Sequence, residues 1–362
     1  MTKLTALARL VSVTLRDGLQ SHPTFVPTAI KLELARKMAQ AGLPYAELSS
    51  VVRPDIIPAL KDWKEMIDGV KANSDAFKGH KFSMLILNQK GVEMGLKGGM
   101  KDVVDTCGLV ISPCLEFVQK NMGGKSLESM NEAARGIAKS LKDEGFKTRI
   151  FVSTCFANPY TGEAIPTEIA AQYLQMAAEM GDVVAISDTT GHATKDSVAA
   201  LIETAKLDPA KLALHMHKAK TPGENECDTA IFAMEKYGIT EIDASLSSIG
   251  QGCPRAKNPG GNSDLFELVT KLEEKGHKTG VSLKGLYDSA KYLFANVEGL
   301  TPTAPYTKLQ EMSEEERQKY FEQLQPYLFG KTPPQPQAQP LEGTKLSSTR
   351  EASLQNQQSR FS

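Results

Sequence analysis

Residues 10–52 read LVSVTLRDGLQSHPTFVPTAIKLELARKMAQAGLPYAELSSVV. Leu10–Leu15 and Tyr45–Val52 are rich in apolar and β-branched residues, the composition of strands. Between them Ile30, Leu34, Met38 and Ala41 recur at steps of three or four within Ile30–Ala41, which places them on one face of a helix. Strand, helix, strand is the unit that builds parallel sheets. Outward from it, the same alternation predicts strands at Lys81–Leu87, Asp102–Ile111, Thr148–Thr154, Val183–Ser187, Leu212–His217 and Glu241–Leu246. Eight strands, each followed by a helical segment, over roughly 250 residues is the arithmetic of a (β/α)8 TIM barrel. A doubly wound sheet shares the alternation, but no G-x-G-x-x-G follows the first strand to support it. The fold class is α/β, with the barrel over residues 5–276.

Beyond Gly276 the pattern changes. Val281–Ala295 and Ser313–Leu328 read as helices separated by the proline-bearing Thr301–Pro305, a C-terminal helical extension over residues 277–330. They would pack on the end of the barrel or on another subunit; a homodimer is one assembly they allow. Residues 331–362 are rich in Pro, Gln and Ser, with Phe361 the only aromatic. Such a stretch buries too little apolar surface to offset roughly 1–2 kcal/mol of backbone entropy per residue and reads as a disordered tail.

The 362 residues carry 42 Lys+Arg against 43 Asp+Glu, a formal net charge of -1, which argues against a nucleic-acid partner. No apolar run reaches the ~18 residues of a membrane helix, and the opening MTKLTALARLVSVTLRDG is broken by Arg9 before it could serve as a signal peptide. Five cysteines, at 107, 114, 155, 227 and 253, show no CxxC pairing, so reduced thiols and a cytoplasmic location are expected.

In a (β/α)8 barrel the reactive groups lie where strands end. Strand one ends in Arg16-Asp17-Gly18, strand two carries Glu47, strand six ends at Asp188, and strand seven ends in His215-Met216-His217. Residues i and i+2 of a strand share a face, so both histidines can point into the barrel mouth and suit a divalent metal. Two polar strand-end histidines without a metal are the plainer alternative. Arg16-Asp17 reads equally as a surface ion pair, Asp188 as a turn or cap, and Cys253 as a small buried hydrophobe. Glu47 inside a strand requires a partner, Arg16 for example, because an unpaired buried charge is costly. The glycines at 250, 252, 260 and 261 mark a loop able to bend over a site, and they place Cys253 in it.

These residues resemble the 3-hydroxy-3-methylglutaryl-CoA lyase family, within the wider group of metal-dependent barrel lyases and carboligases, over roughly residues 8–275. The matching pieces are TLRDGLQ, AELSSVVRPDIIPAL, KGVEMGLKGG, FVSTCFANPYTGE, ISDTTG, LHMH and IGQGCPRAKNPGGN. The resemblance implies metal ligands Asp17, His215, His217 and Asn262, of which Asn262 does not follow from spacing. It implies Mg²⁺ or Mn²⁺ as cofactor and an acyl-CoA as substrate, cleaved to acetyl-CoA and a keto acid. Arg16, held by Glu47, would stabilise the thioester enolate; Cys253 would protonate it; Asp188 would orient substrate or a water; the base would be Asp17 or His215.

Three features depart from the family pattern. Lys218 follows the second histidine where an acidic residue is usual, and would meet a substrate carboxylate or a CoA phosphate unless it is a solvated loop lysine. Ser21-His22-Pro23-Thr24 replaces an acidic, amide-rich segment, and Pro254-Arg255-Ala256-Lys257 makes the cysteine loop more basic. The catalytic core is retained while the identity of the acyl group is left open; a larger or more acidic 3-hydroxyacyl-CoA, or a citramalyl-type thioester, would fit these changes. Two other readings stand beside the lyase. One is a carboligase of the isopropylmalate or homocitrate synthase kind, which would tolerate Cys253→Ser. The other is an inactive barrel acting through partner contacts.

Overall fold

The computed structural model describes residues 8–124, 126–251 and 260–330. Eight parallel strands close into a barrel in chain order: β1 Arg9–Ser12, β2 Tyr45–Val51, β3 Lys81–Ile86, β4 Val104–Ile111, β5 Lys147–Val152, β6 Val183–Asp188, β7 Leu212–Met216 and β8 Glu241–Ala244. Closure comes from β1 pairing with β8, Arg9 opposite Glu241 through Ser12 opposite Ala244. Each strand is followed by a helix, beginning with Thr28–Gln40, whose Leu34 and Met38 are fully buried against the sheet. The TIM barrel expected from the alternation is the fold observed.

The strand ends are the principal correction. The apolar run Leu10–Leu15 is extended only to Ser12. Thr14–Gly18 then winds into a single π-helical turn, closed by Gly18 N–H donating to the Val13 carbonyl at 2.9 Å. The β-branched residues favour extension, but tertiary bonds override them. The Thr14 hydroxyl accepts from Ser12 Oγ at 2.9 Å and from Leu246 N at 3.0 Å. Single π turns of this kind recur at functional sites, and this one carries Arg16 and Asp17, both buried.

A bulge in β2 has a comparable effect. Its register against β3 slips between Glu47 and Ser49, which lets Glu47 face the barrel interior while Leu48 joins the outer core.

Two kinds of surface line the interior. Leu85, Phe151, Ala185 and Ala213 form one apolar cluster from β3 and β5–β7. Next to them the lining is ionic: Arg149 of β5 reaches Asp243 and Glu241 of β8, each at 2.7 Å. β5 and β8 are not neighbours, so these bonds cross the lumen.

Beyond the barrel lie helices Leu283–Asn296 and Glu314–Leu324, near the expected positions, with a 3-10 turn at Pro326–Phe329. A further helix, Ala304–Glu311, occupies part of the segment read as a breaker. Pro305 sits in its first turn, where a missing N–H costs no hydrogen bond. These helices pack on the flank of the barrel: Ser282 N–H donates to the Ala41 carbonyl at 2.7 Å, and Tyr306 meets Tyr287, Phe294 and Phe266. Among the described residues no helix is long and apolar enough to cross a membrane.

Candidate active site

At the C-terminal mouth, β7 delivers His215 and His217 to the same side, with ring centroids 5.0 Å apart. Asp17 joins them from the π turn, and one ligand atom from each of the three lies within 4.8 Å of the others. Asn262 pairs with His217 through an antiparallel backbone bridge, and its amide lies against the Asp17 carboxylate. All four are buried.

Hydrogen-bond accounting shows what the cluster is built for. His215 Nδ1 lies 2.9 Å from the Asp243 carboxylate, and His217 Nδ1 lies 3.2 Å from the Gly260 carbonyl. Neither oxygen has a proton to give, so each imidazole carries its hydrogen on Nδ1. The two Nε2 atoms lie 3.2 Å apart, and in neutral rings each presents a lone pair to the other. Asp17 Oδ2 and Asn262 Oδ1 are buried without a hydrogen-bond partner within bonding distance, while Asn262 Nδ2 donates to the Ile249 carbonyl at 2.9 Å. Acceptors crowded together without protons between them repel unless a cation lies among them. The residues fit a divalent metal, and a donor set of carboxylate, amide oxygen and two imidazoles, with no thiolate, suits hard ions.

Charge around the cluster is arranged in the same sense. Arg16 gives Nε and Nη2 to Glu47 Oε2 at 2.8 and 2.5 Å and Nη1 to Asp17 Oδ1 at 2.6 Å. Burial opposes the charge of Asp17, yet the Arg16 guanidinium beside it holds its carboxyl below the ordinary value. Burial pushes His217 down to about 4, which keeps it neutral and able to ligate.

Of the sequence-predicted residues, Arg16, Asp17, Glu47, His215, His217 and Asn262 are brought together. Asp188 behaves differently. Its oxygens accept from His192 N at 3.0 Å and Ala193 N at 2.9 Å, so it caps its own loop. Cys253, with Arg255 and Lys257, lies outside the described residues. Lys218 turns to the protein's own carboxylates, Glu226 at 3.2 Å and Glu267 at 3.7 Å. This departs from the expected substrate anion. Asp243 and Arg149 were not anticipated; the signal was present in Glu241-Ile242-Asp243, two acids two apart in a strand that has to face them inward. A cavity of about 390 Å³ beside the cluster is lined by Gly18, Lys218 and Gly261, each next in the chain to a donor, with His22, Ser248 and Gly250 among others, and by none of the donors themselves.

The HMGL-like family model matches residues 8–293. The chain belongs to the HMGL-like family. Hydroxymethylglutaryl-CoA lyase YngG of Bacillus subtilis (strain 168) is 30% identical over 281 residues, 77% of this chain and 89% of the relative. The mitochondrial hydroxymethylglutaryl-CoA lyase of Homo sapiens is 29% identical, covering 81% of this chain and 86% of its own. Among solved structures, the Bacillus subtilis HMG-CoA lyase superposes with a TM-score of 0.75 at 28% identity, over 84% of this chain and 99% of that one. The lyase from Acinetobacter baumannii, in complex with coenzyme A and 3-methylmalate, gives 0.74 at 27%, over 84% and 95%. This HMGL-like protein is therefore an enzyme of the lyase class, as its sequence motifs implied.

Proposed function

We propose that the protein cleaves the carbon–carbon bond beside a tertiary alcohol in a 3-hydroxyacyl-CoA, releasing acetyl-CoA and a keto acid. With 3-hydroxy-3-methylglutaryl-CoA the keto acid is acetoacetate. The observation that carries this reading is the convergence of four buried ligand side chains beside a guanidinium fixed by two carboxylates. Asp17, His215, His217 and Asn262 would hold a divalent ion, Mg²⁺ or Mn²⁺, and its Lewis acidity would lower the pKa of the substrate hydroxyl.

The remaining chemistry belongs to side chains. Asp17 takes the hydroxyl proton, since His215 keeps its own proton on Nδ1 beside Asp243 and gives Nε2 to the metal; the carbon–carbon bond breaks toward the thioester, and its electron pair becomes the acetyl-CoA enolate. Arg16 has five N–H donors, of which Glu47 and Asp17 occupy three. The other two serve the developing enolate oxygen, and such preorganised donors contribute ~2.7–4 kcal/mol each. Cys253 then supplies the proton that completes the methyl group, since a thiol with pKa near ~8.5 is still protonated at neutral pH. The acyl-CoA class is favoured by the Acinetobacter relative, whose structure contains coenzyme A. A cytoplasmic location accords with the reduced thiols of Cys107, Cys155 and Cys227.

The test is incubation of purified protein with a panel of 3-hydroxyacyl-CoAs and Mg²⁺ or Mn²⁺, scored for acetyl-CoA. Release from at least one member is expected. No release from any, with metal bound, would overturn the reaction.

A further inference from the structure

We infer that Asp243, locked by Arg149, is a positioning residue that fixes the His215 tautomer and so makes its Nε2 available to the metal. The inference rests on the four-donor cluster being a cation site. Asp243 is 1% exposed, and both its oxygens are committed: Oδ1 accepts from Arg149 Nη2 at 2.7 Å, leaving Oδ2 for His215 Nδ1 at 2.9 Å. Arg149 is in turn held at 2.7 Å by Glu241, which also pairs with Arg9 near the opposite end of the barrel.

The consequence is chemical. An imidazole has one proton to place when neutral, and a carboxylate that can only accept draws it to Nδ1. Nε2 is then a lone pair directed at His217 and Asp17. A second contact fixes the ring plane: Phe151 meets His215 edge-on, with centroids 5.5 Å apart and planes at 84°. The Arg149 guanidinium lies 5.0 Å from that same Phe151 ring, so one arginine braces both neighbours of His215. Carboxylates placed behind metal-bound histidines commonly orient the ring and raise its basicity, and their loss weakens metal affinity by about 10–100-fold.

Asp243→Asn keeps the shape but can offer an N–H to Nδ1, which moves the imidazole proton to Nε2. Mn²⁺ affinity, read from free Mn²⁺ by electron paramagnetic resonance, is expected to fall about 10–100-fold in a variant whose circular dichroism matches the parent. Unchanged affinity would overturn the positioning role alone; absence of Mn²⁺ binding by the parent would overturn the cation site beneath it. Should Asp243→Asn fail to fold, ¹⁵N-histidine spectra of the unaltered, metal-free protein at neutral pH decide. A proton on Nδ1 of His215 with Nε2 bare supports the inference, and a proton on Nε2 overturns it.

Discussion

Arg16 is held in a fork that a lysine could not reproduce. Its Nε and Nη2 share one Glu47 oxygen while Nη1 takes Asp17, and a single ammonium cannot span both carboxylates in that plane. Arg16→Lys keeps the charge that balances the two acids, so the protein should stay folded. Its kcat for acyl-CoA cleavage should fall about 100-fold or more, the loss typical of a missing oxyanion donor. Steady-state kinetics beside a thermal melt check this. His217 makes a second prediction. Burial holds it at about 4 in the folded chain against its ordinary 6.5. Its folded value is the lower one, so the unfolded chain binds the proton first. Stability from this group is complete above 6.5 and lost as pH falls toward 4. Denaturant midpoints of metal-free protein should fall across that window, and Mn²⁺ affinity with them, because a protonated imidazole cannot ligate.

Among the elements, the turns that follow the strands set the site more than the strands themselves do. Gly250 has φ +113°, and a Cβ there would lie 2.4 Å from Asn262 Nδ2 and 3.0 Å from the Asp17 carbonyl. Gly250→Ala should displace the amide and weaken Mn²⁺ binding several-fold or more, with a small loss of melting temperature; equilibrium dialysis reads the first and calorimetry the second. Two non-glycine residues nearby, Ser247 and Ser248, also adopt left-handed backbone, at φ 51° and 53°. Such strain persists where surrounding bonds over-determine it. Here Ser247 Oγ bonds Thr303 Oγ1 at 3.1 Å and Ser245 Oγ bonds the Ile249 carbonyl at 2.8 Å.

The limits of the sequence reading fall at the same places. β-branched runs and helix spacing locate all eight strands, because periodicity is a local property. The π turn at Thr14–Gly18 and the slip in β2 depend on bonds to residues far along the chain, such as Leu246 to Thr14, and leave no local mark. His215 and His217 are visible from their spacing; Asn262 came only with the family resemblance, since its amide oxygen is brought in by a bridge to β7. Lys218 appeared as a cation intruding on a metal because its true partners, Glu226 and Glu267, lie on two later helices.

For the molecule as a whole, the post-barrel helices form an aromatic layer of their own. Phe321 is buried and packs 6.3 Å from Tyr287, which in turn meets Tyr306 at 5.5 Å. Phe321→Ala should cost about 3–5 kcal/mol and lower the melting temperature while leaving Mn²⁺ affinity of the folded protein unchanged. Loss of metal binding as well would mean that this layer supports the mouth directly. The Lys218 contacts have a wider consequence. One ammonium binds the end of β7 to Glu226 and Glu267, so the side chains at these three positions form one electrical unit. Restoring an acid at 218 alone would set three negative charges side by side, two of them already enclosed. Changes there should therefore be epistatic: a substitution harmful singly becomes acceptable only when a second, opposite change at 226 or 267 accompanies it.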